Sequence, residues 1–323
     1  MDNVQMSILI TGINGQDGRI ISRHFKSVGE HVFGISRHNV SYPDSEIMKE
    51  ERIDISDYEA FSNFLDCVNP TRIFHLAASH SNSIQMQNHG EHFESEMYSL
   101  HVQATKNILE WQKCNPRNGS KLVVALSSQM FTADECRTTI NEDSPINPSS
   151  KYGMTKSQAF ELIKQYRQNY GIFSTGAILF NHSSPFSKQD FVLVEIAKQF
   201  IDVLSGDKNE IKLRNFDAEL DVSDAENICS ALIGMLDLAK PEDFVLSSGN
   251  LTNLRNLTID CLARYNVVRK IDLISTHPPQ GSRNNLIGNS QKASTKLNWK
   301  PTQDPVLILV KIIEALRGNT ANV

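Results

Sequence analysis

The sequence predicts an α/β fold, a doubly wound parallel sheet followed by a smaller C-terminal region, and two observations carry that prediction. Apolar runs of strand length alternate with segments of helical length and spacing through the first half of the chain. Three glycines spaced by three residues, Gly12, Gly15 and Gly18, fall between the first of these runs and the first helical segment.

Taken in order, residues 7–11, 31–35, 72–76, 121–126 and 174–179 read as strands, with helices over residues 17–28, 57–67, 92–112 and 149–170. Strands joined by helices pair in parallel and are covered on both faces. Leu122, Val123, Val124, Ala125 and Leu126 are apolar without alternation, which places this strand near the centre of the sheet. After Leu179 the alternation fades into Asn/Ser/Pro-rich segments at 181–188 and 276–289, interleaved with helices over 191–204 and 225–238 and a closing helix over 305–316. Tyr166, Tyr170 and Phe173 are expected in the core, between the fourth helix and the following strand.

Composition narrows the function classes. The 323 residues are 40% hydrophobic and 21% charged, ordinary globular values that exclude disordered and fibrous chains. A net charge of −5 without basic clusters argues against nucleic acid as a partner. No apolar stretch reaches the roughly 18 residues of a membrane span, and residues 1–6 lack a signal-peptide layout, so a cytoplasmic protein is expected. Cys67, Cys114, Cys136, Cys229 and Cys261 contain no C-x-x-C pair and read as buried thiols in a reducing compartment. His89, Glu91 and His92 lack the spacing of a metal site, and no metal is expected.

The run Thr11-Gly12-Ile13-Asn14-Gly15-Gln16-Asp17-Gly18 has the form of a dinucleotide-binding turn. Glycine allows the sharp turn and the close approach of backbone to a pyrophosphate, whose charge the helix N-terminus meets. That makes residues 1–179 a Rossmann-type dinucleotide-binding domain, to which a segment at about 217–247 returns, and residues 180–216 and 248–323 mainly a substrate-binding region. Where an acidic residue would hold the ribose of NAD, Arg37 follows the second strand and suits the 2′-phosphate of NADP; the alternative is a solvated arginine. Asp54 and Ile55 follow the third strand, where they would hold the adenine edge, and Leu76, Ala77 and Ala78 end the fourth beside the cofactor.

Tyr152 and Lys156 are four residues apart on one helix face. A tyrosine loses its proton near pH ~10, so a neighbouring ammonium is needed to favour phenolate at neutral pH. Ser127 and Ser128, at the end of the central strand, complete a Ser, Tyr, Lys set able to move a proton on or off a sugar hydroxyl during hydride transfer.

With these residues in view, the chain resembles the extended short-chain dehydrogenase/reductases that modify nucleotide sugars, and within them the GDP-mannose 4,6-dehydratase family. The matching text is Thr11-Gly12-x-x-Gly15-Gln16-Asp17-Gly18, Phe74-His75-Leu76-Ala77-Ala78, Tyr152-x-x-x-Lys156, Leu179-Phe180-Asn181-His182-x-Ser184-Pro185, Phe191-Val192 and Pro241-Glu242-Asp243-Phe244-Val245. The resemblance implies a lyase or oxidoreductase that works through redox at C4 of a nucleotide hexose. By resemblance Tyr152 is the acid/base, Lys156 lowers its pKa and holds the nicotinamide ribose, and Ser127 orients the sugar hydroxyl. Asn181 would touch substrate and His182 the cofactor, and helices 92–112 and 149–170 would pair in a homodimer.

The departures fall on the substrate side. The dehydratases resemble Ser-Thr-Ser-Glu at the strand end, with the glutamate removing the proton at C5; this chain reads Ser127-Ser128-Gln129-Met130, and glutamine is not a base. Asp134 or Glu135 would substitute if the following loop folds back. Leu220 stands where the family carries an arginine for the pyrophosphate, leaving Lys188, Arg214 and Arg283 as compensating cations. Gln129 therefore favours, as an alternative, a 4-keto-6-deoxysugar reductase or an epimerase. A non-catalytic NADP-binding sensor is the alternative of another class.

Overall fold

The computed structural model describes residues 6–36, 49–79, 90–132, 138–277, 286–301 and 304–320. In chain order its first elements are β1 (Ser7–Thr11), α1 (Gln16–Ser27), β2 (His31–Ile35), β3 (Lys49–Glu51), α2 (Tyr58–Val68) and β4 (Arg72–His75). Then come α3 (Gly90–Tyr98), a π-helical turn (Ser99–Gln103), α4 (Ala104–Cys114), β5 (Lys121–Ala125), β6 (Thr138–Ile140), α5 (Lys151–Tyr170), β7 (Ser174–Leu179) and β8 (Asn181–Ser183). The remainder is α6 (Val192–Ser205), β9 (Glu210–Leu213), β10 (Glu219–Asp224), α7 (Ala225–Met235), β11 (Phe244–Leu246), β12 (Leu251–Asn253) and α8 (Leu254–Arg264). It closes with β13 (Asp272–Ser275), β14 (Leu286–Gly288), α9 (Gln291–Lys296) and α10 (Pro305–Thr320).

Internal contacts divide the chain into two units: residues 1–131, 144–179 and 229–244, and residues 132–143, 180–228 and 245–323. In the first, the sheet runs β7-β5-β4-β1-β2-β3 with these six strands paired in parallel, and β11, which starts at Phe244, extends the β7 edge. This is the doubly wound Rossmann-type order the alternation predicts, with the chain crossing over after β3. Ile8, Leu9, Ile10, Ile73, Phe74, Leu122 and Val123 are fully buried, as a parallel sheet covered on both faces requires. Asp57 caps α2 by accepting from the Ala60 N–H, which stops the chain just before the apolar face of Phe61, Phe64 and Leu65.

In the second unit β10 lies between β12 and β8, β9 pairs β13, and β6 pairs β14. Its core is Leu193, Ile196, Phe200, Ile211, Phe216, Leu254 and Leu257 with Ile308, Leu309, Ile312 and Ile313 of α10. The Asp221 carboxylate is buried on β10 and accepts from the Ser248 N–H and hydroxyl and from the Gly249 and Gly288 N–H groups, at 2.6–3.2 Å. One side chain thus holds the turn before β12 and the end of β14 against β10.

Three expectations are corrected. The helix expected over residues 92–112 is interrupted by the π turn. Tyr170, expected in the core, is 52% exposed, whereas Tyr166 is buried and donates to Glu110. Cys67 and Cys114 are exposed; only Cys229 and Cys261 are buried among the described cysteines, and Cys136 lies outside the described residues. Both corrected residue types sit on amphipathic helices, where identity alone does not tell which side of the apolar stripe is covered.

Candidate active site

The glycine turn comes straight off β1. Gly12 has φ +76°, and a Cβ there would lie 2.8 Å from the Ala77 nitrogen, so only glycine fits between β1 and the end of β4. Gly12 donates to Ile35 O at 2.9 Å and accepts from the Gly15 N–H at 2.9 Å, which folds the turn onto itself. A Cβ on Gly18 would meet Gly12 O at 2.5 Å, so α1 can start this close to the turn only with glycine there. Gly15 is exposed, extended, and brings no side chain to cap α1. An uncapped helix start behind a glycine turn fits a pyrophosphate.

The neighbouring loops are fixed. The Asp54 carboxylate accepts from the Ser56 N–H at 2.9 Å and hydroxyl at 2.6 Å, while the Asn107 amide donates to the carbonyls of Ile55 and Ser56, both at 3.0 Å. Asp54 is exposed and Ile55 buried. Leu76 donates to Thr11 O at 3.1 Å, and Leu76, Ala77 and Ala78 remain half-buried beside the glycine turn. Arg37 lies outside the described residues.

Ser127, Tyr152 and Lys156 come together at the end of β5. Ser127 is buried and extended, and its hydroxyl accepts from the Gln129 N–H at 3.2 Å. Ser150 caps α5 by accepting from the Gly153 N–H at 3.0 Å, and its own hydroxyl donates to Gln129 Oε1 at 3.2 Å. A Cβ on Gly153 would stand 2.0 Å from Gln129 O, so glycine lets α5 begin against the strand-end turn. One turn on, the Lys156 ammonium is buried, donates to Ala125 O at 2.7 Å and lies 5.7 Å from the Tyr152 ring centroid.

The electrostatics run against the simple expectation. Burial pushes the Tyr152 hydroxyl well above the usual phenol value; a hydrogen bond with Ser127 opposes this, and the Asp17 carboxylate adds to it. Burial also pushes Lys156 down to about 7. Desolvation dominates the Tyr152 acidity in the protein alone and holds its hydroxyl above the ordinary tyrosine range. Burial thus favours the neutral form of both groups in the protein alone.

In the second unit, Asn181 and His182 sit on β8 opposite Val222 and Ser223 of β10. Asn181 is exposed; His182 is half-buried and donates from Nδ1 to Phe180 O at 2.8 Å. Lys188 and Arg214 are exposed, Ser128 is half-buried and Gln129 exposed, while Arg283, Asp134 and Glu135 lie outside the described residues. Leu220 pairs with Thr252 of β12 and offers no charge.

A family model described as GDP-mannose 4,6 dehydratase matches residues 9–306. The chain belongs to the GDP-mannose 4,6 dehydratase family. It is 28% identical over 331 residues to the human GDP-mannose 4,6 dehydratase, covering 91% of this chain and 86% of that protein. Among solved structures it resembles dTDP-glucose 4,6-dehydratase from Bacillus anthracis in complex with NAD, with a TM-score of 0.79, 16% identity and 98% coverage of each chain. RMD from Pseudomonas aeruginosa complexed with NADPH aligns with a TM-score of 0.76 and 19% identity over 95% of this chain and 99% of that one. The fold is that of the short-chain dehydrogenase/reductase epimerases and dehydratases.

This member of the family also holds polar residues at the site that sequence reading did not single out. His75 is buried on β4, accepts from the Thr11 hydroxyl at 2.7 Å and donates from Nε2 to Leu100 O at 3.1 Å. Burial and Lys156 push it down to about 3, so it is a neutral imidazole of fixed tautomer. His101 and Thr155 are buried and bonded to each other at 2.8 Å. The available signal was a histidine in an otherwise apolar strand or helix face, which by itself points only to a satisfied core group.

Proposed function

We propose that the protein modifies a nucleotide hexose through redox at C4, in the manner of a 4,6-dehydratase, with NADP as cofactor. The observation that carries this reading is the set of buried Ser127 and Lys156 with half-buried Tyr152 at the end of β5, in the same unit as the glycine turn. When bound, a nicotinamide dinucleotide supplies the hydride acceptor and donor. Gly12, Asn14, Gly15, Gln16, Asp17 and Gly18 hold its pyrophosphate, Asp54 and Ile55 its adenine edge, and Leu76, Ala77, Ala78 and Lys156 its remaining length, with His182 assigned to it by family resemblance. Arg37 supports NADP over NAD through the pairing of guanidinium with phosphate.

Ser127 would hold the substrate O4 hydroxyl, and Tyr152 would take its proton in the phenolate form, reached by giving its own proton to solvent with a charged Lys156 beside it. Because Tyr152 holds its own proton in the protein alone, it is ready to act as the acid of the reverse step, and a charged Lys156 assists the forward one. Ser128, Asn181, Lys188, Arg214 and Arg283 contact the nucleotide sugar. The expected homodimer is supported by apolar surface on the helices proposed to pair: Tyr98 on α3 is 48% exposed, and Met154 and Tyr170 on α5 are 43% and 52% exposed. No described helix is long and apolar enough to cross a membrane, and a cytoplasmic site of action remains part of this proposal.

Gln129 supports a second reading. Its carboxamide is held by Ser150 and cannot remove a proton from carbon, so a 4-keto-sugar reductase or epimerase needs every group present while dehydration needs one more. Incubation with GDP-mannose and NADP, read by mass spectrometry, decides between them. A product lighter by one water supports the dehydratase. Cofactor binding without that product moves the assignment to the second reading, and Gln129→Glu then tests whether the amide is what blocks elimination.

A further inference from the structure

Two buried histidines meet the π-helical turn at Ser99–Gln103, and they tie it to both halves of the catalytic unit. Leu100 O accepts from His75 Nε2 at 3.1 Å, and His75 Nδ1 accepts from Thr11, whose oxygen also receives the Ala77 N–H at 3.4 Å. This arm reaches the strand that ends in the glycine turn. The next residue, His101, reaches the other way: its Nδ1 is 2.8 Å from the Thr155 hydroxyl on α5.

The Thr155 hydroxyl also lies 3.0 Å from Tyr152 O, and when it donates there its oxygen accepts from His101 Nδ1–H. The His101 ring stands perpendicular to the Tyr152 ring with centroids 5.2 Å apart, the edge-to-face arrangement aromatic pairs favour. His101 is 1% exposed, and its own carbonyl accepts from the Thr105 hydroxyl at 2.6 Å, so the ring has little freedom. A π turn has an extra residue per hydrogen-bonded loop and is rarely kept without a positional reason.

We propose that His101 is a positioning residue for Tyr152, its imidazole fixing the phenol ring through the edge-to-face contact and the backbone of the catalytic helix through Thr155. The π turn places that ring where a regular helix would put its neighbour. The proposal rests on Tyr152 as the proton-transfer group but makes a claim about ring order that does not depend on the substrate.

The test uses full-length protein labelled with 3-fluorotyrosine, with the Tyr152 resonance assigned by its loss in Tyr152→Phe. In His101→Ala that resonance is expected to shift or broaden while the Tyr265 resonance stays in place. Turnover is expected to fall roughly 10- to 100-fold in kcat with KM nearly unchanged, the signature of a displaced reacting group. Thr155→Val is expected to reproduce the kcat loss, the double variant to add nothing, and His101→Asn, which keeps a donor toward Thr155, to recover part of it.

An unmoved Tyr152 resonance in folded His101→Ala, or additive losses in the double variant, overturns the proposal. If His101→Ala does not fold, Thr155→Val and His101→Asn decide by the same readouts. Absence of turnover in the unaltered enzyme with any nucleotide sugar would count against the proposed function, and the fluorine spectrum would still decide the role of His101.

Discussion

The two units treat their polar residues in opposite ways. In the first, Ser127, Thr155, Lys156, His75 and His101 are all buried, and each is oriented by a hydrogen bond to backbone or to another buried side chain. In the second, the residues assigned to substrate, Asn181, Lys188 and Arg214, are exposed, and the principal buried carboxylate, Asp221, is consumed in holding loops together. Proton and hydride transfer tolerate little positional error, and under the proposed function that accounts for groups sunk into the scaffold. Recognition of a charged ligand tolerates solvent and side-chain adjustment, so its groups stay on the surface, where sequence can drift without unfolding the chain. Of the two positions singled out by resemblance, Leu220 is half-buried in the second unit, while Gln129 is exposed in the first and runs against the contrast.

The largest expected effect breaks the buried side of the comparison. Tyr152→Phe removes one hydroxyl without changing shape, and loss of a positioned acid/base lowers kcat by about 10²- to 10⁴-fold. Thermal unfolding of the variant should match the unaltered protein, since the lost group is poised for chemistry and the ring packing remains. On the other side, Asp221→Ala leaves the buried N–H groups of Ser248 and Gly288, and that of exposed Gly249, without their acceptor and should cost about 2–4 kcal/mol in urea unfolding, with the loss confined to the second unit. Equal loss of kcat in well-folded Asp221→Ala would blur the contrast.

Gly153→Ala tests how tightly the catalytic helix is seated. Its Cβ would fall 2.0 Å from Gln129 O, a backbone atom that cannot swing aside, and about 1–3 kcal/mol of stability should be lost along with most activity. A pH series then separates Lys156 from the rest of the fold. Its folded value of about 7 lies below the ordinary 10.5, so between those limits the unfolded chain binds more protons and stability rises with pH. His75, lowered from 6.5 to about 3, acts the same way across that lower window. Lys156→Met should abolish the rise above pH 7, leave the rise below pH 6.5, and make the cofactor-free protein more stable than the unaltered one at neutral pH. A Lys156→Met curve parallel to the unaltered one throughout would mean that the ammonium is not desolvated.

Much of the first unit was legible because its physics is local. Unalternating runs such as Leu122–Val124 can only be covered on both faces, and a glycine triplet at a strand end has few uses besides a tight turn. Tyr152 and Lys156 were legible because a helix repeat alone puts them on one face. The π turn was not, since nothing in residues 99–103 marks it locally, and the partners that meet it, Thr11 through His75 and Thr155 through His101, are remote in sequence. The same remoteness hid the ordering of Tyr152 and Lys156 acidities, which burial sets and sequence spacing does not reveal. In the second unit Asp221 could not be told from a substrate ligand, because its partners lie in loops whose positions depend on the whole unit.

The smallest expected effect sharpens the exposed side. Lys188 and Arg214 are both exposed, so Lys188→Ala and Arg214→Ala should each change unfolding free energy by less than about 0.5 kcal/mol. If either side chain meets the diphosphate of the substrate, KM should rise, kcat should stay nearly constant, and the rise should shrink at high salt, because an exposed ion pair is screened. A variant that instead lowers kcat at constant KM would show that this unit holds a group needed in the transition state. The division between a buried chemical unit and an exposed recognition unit would then fail at that residue.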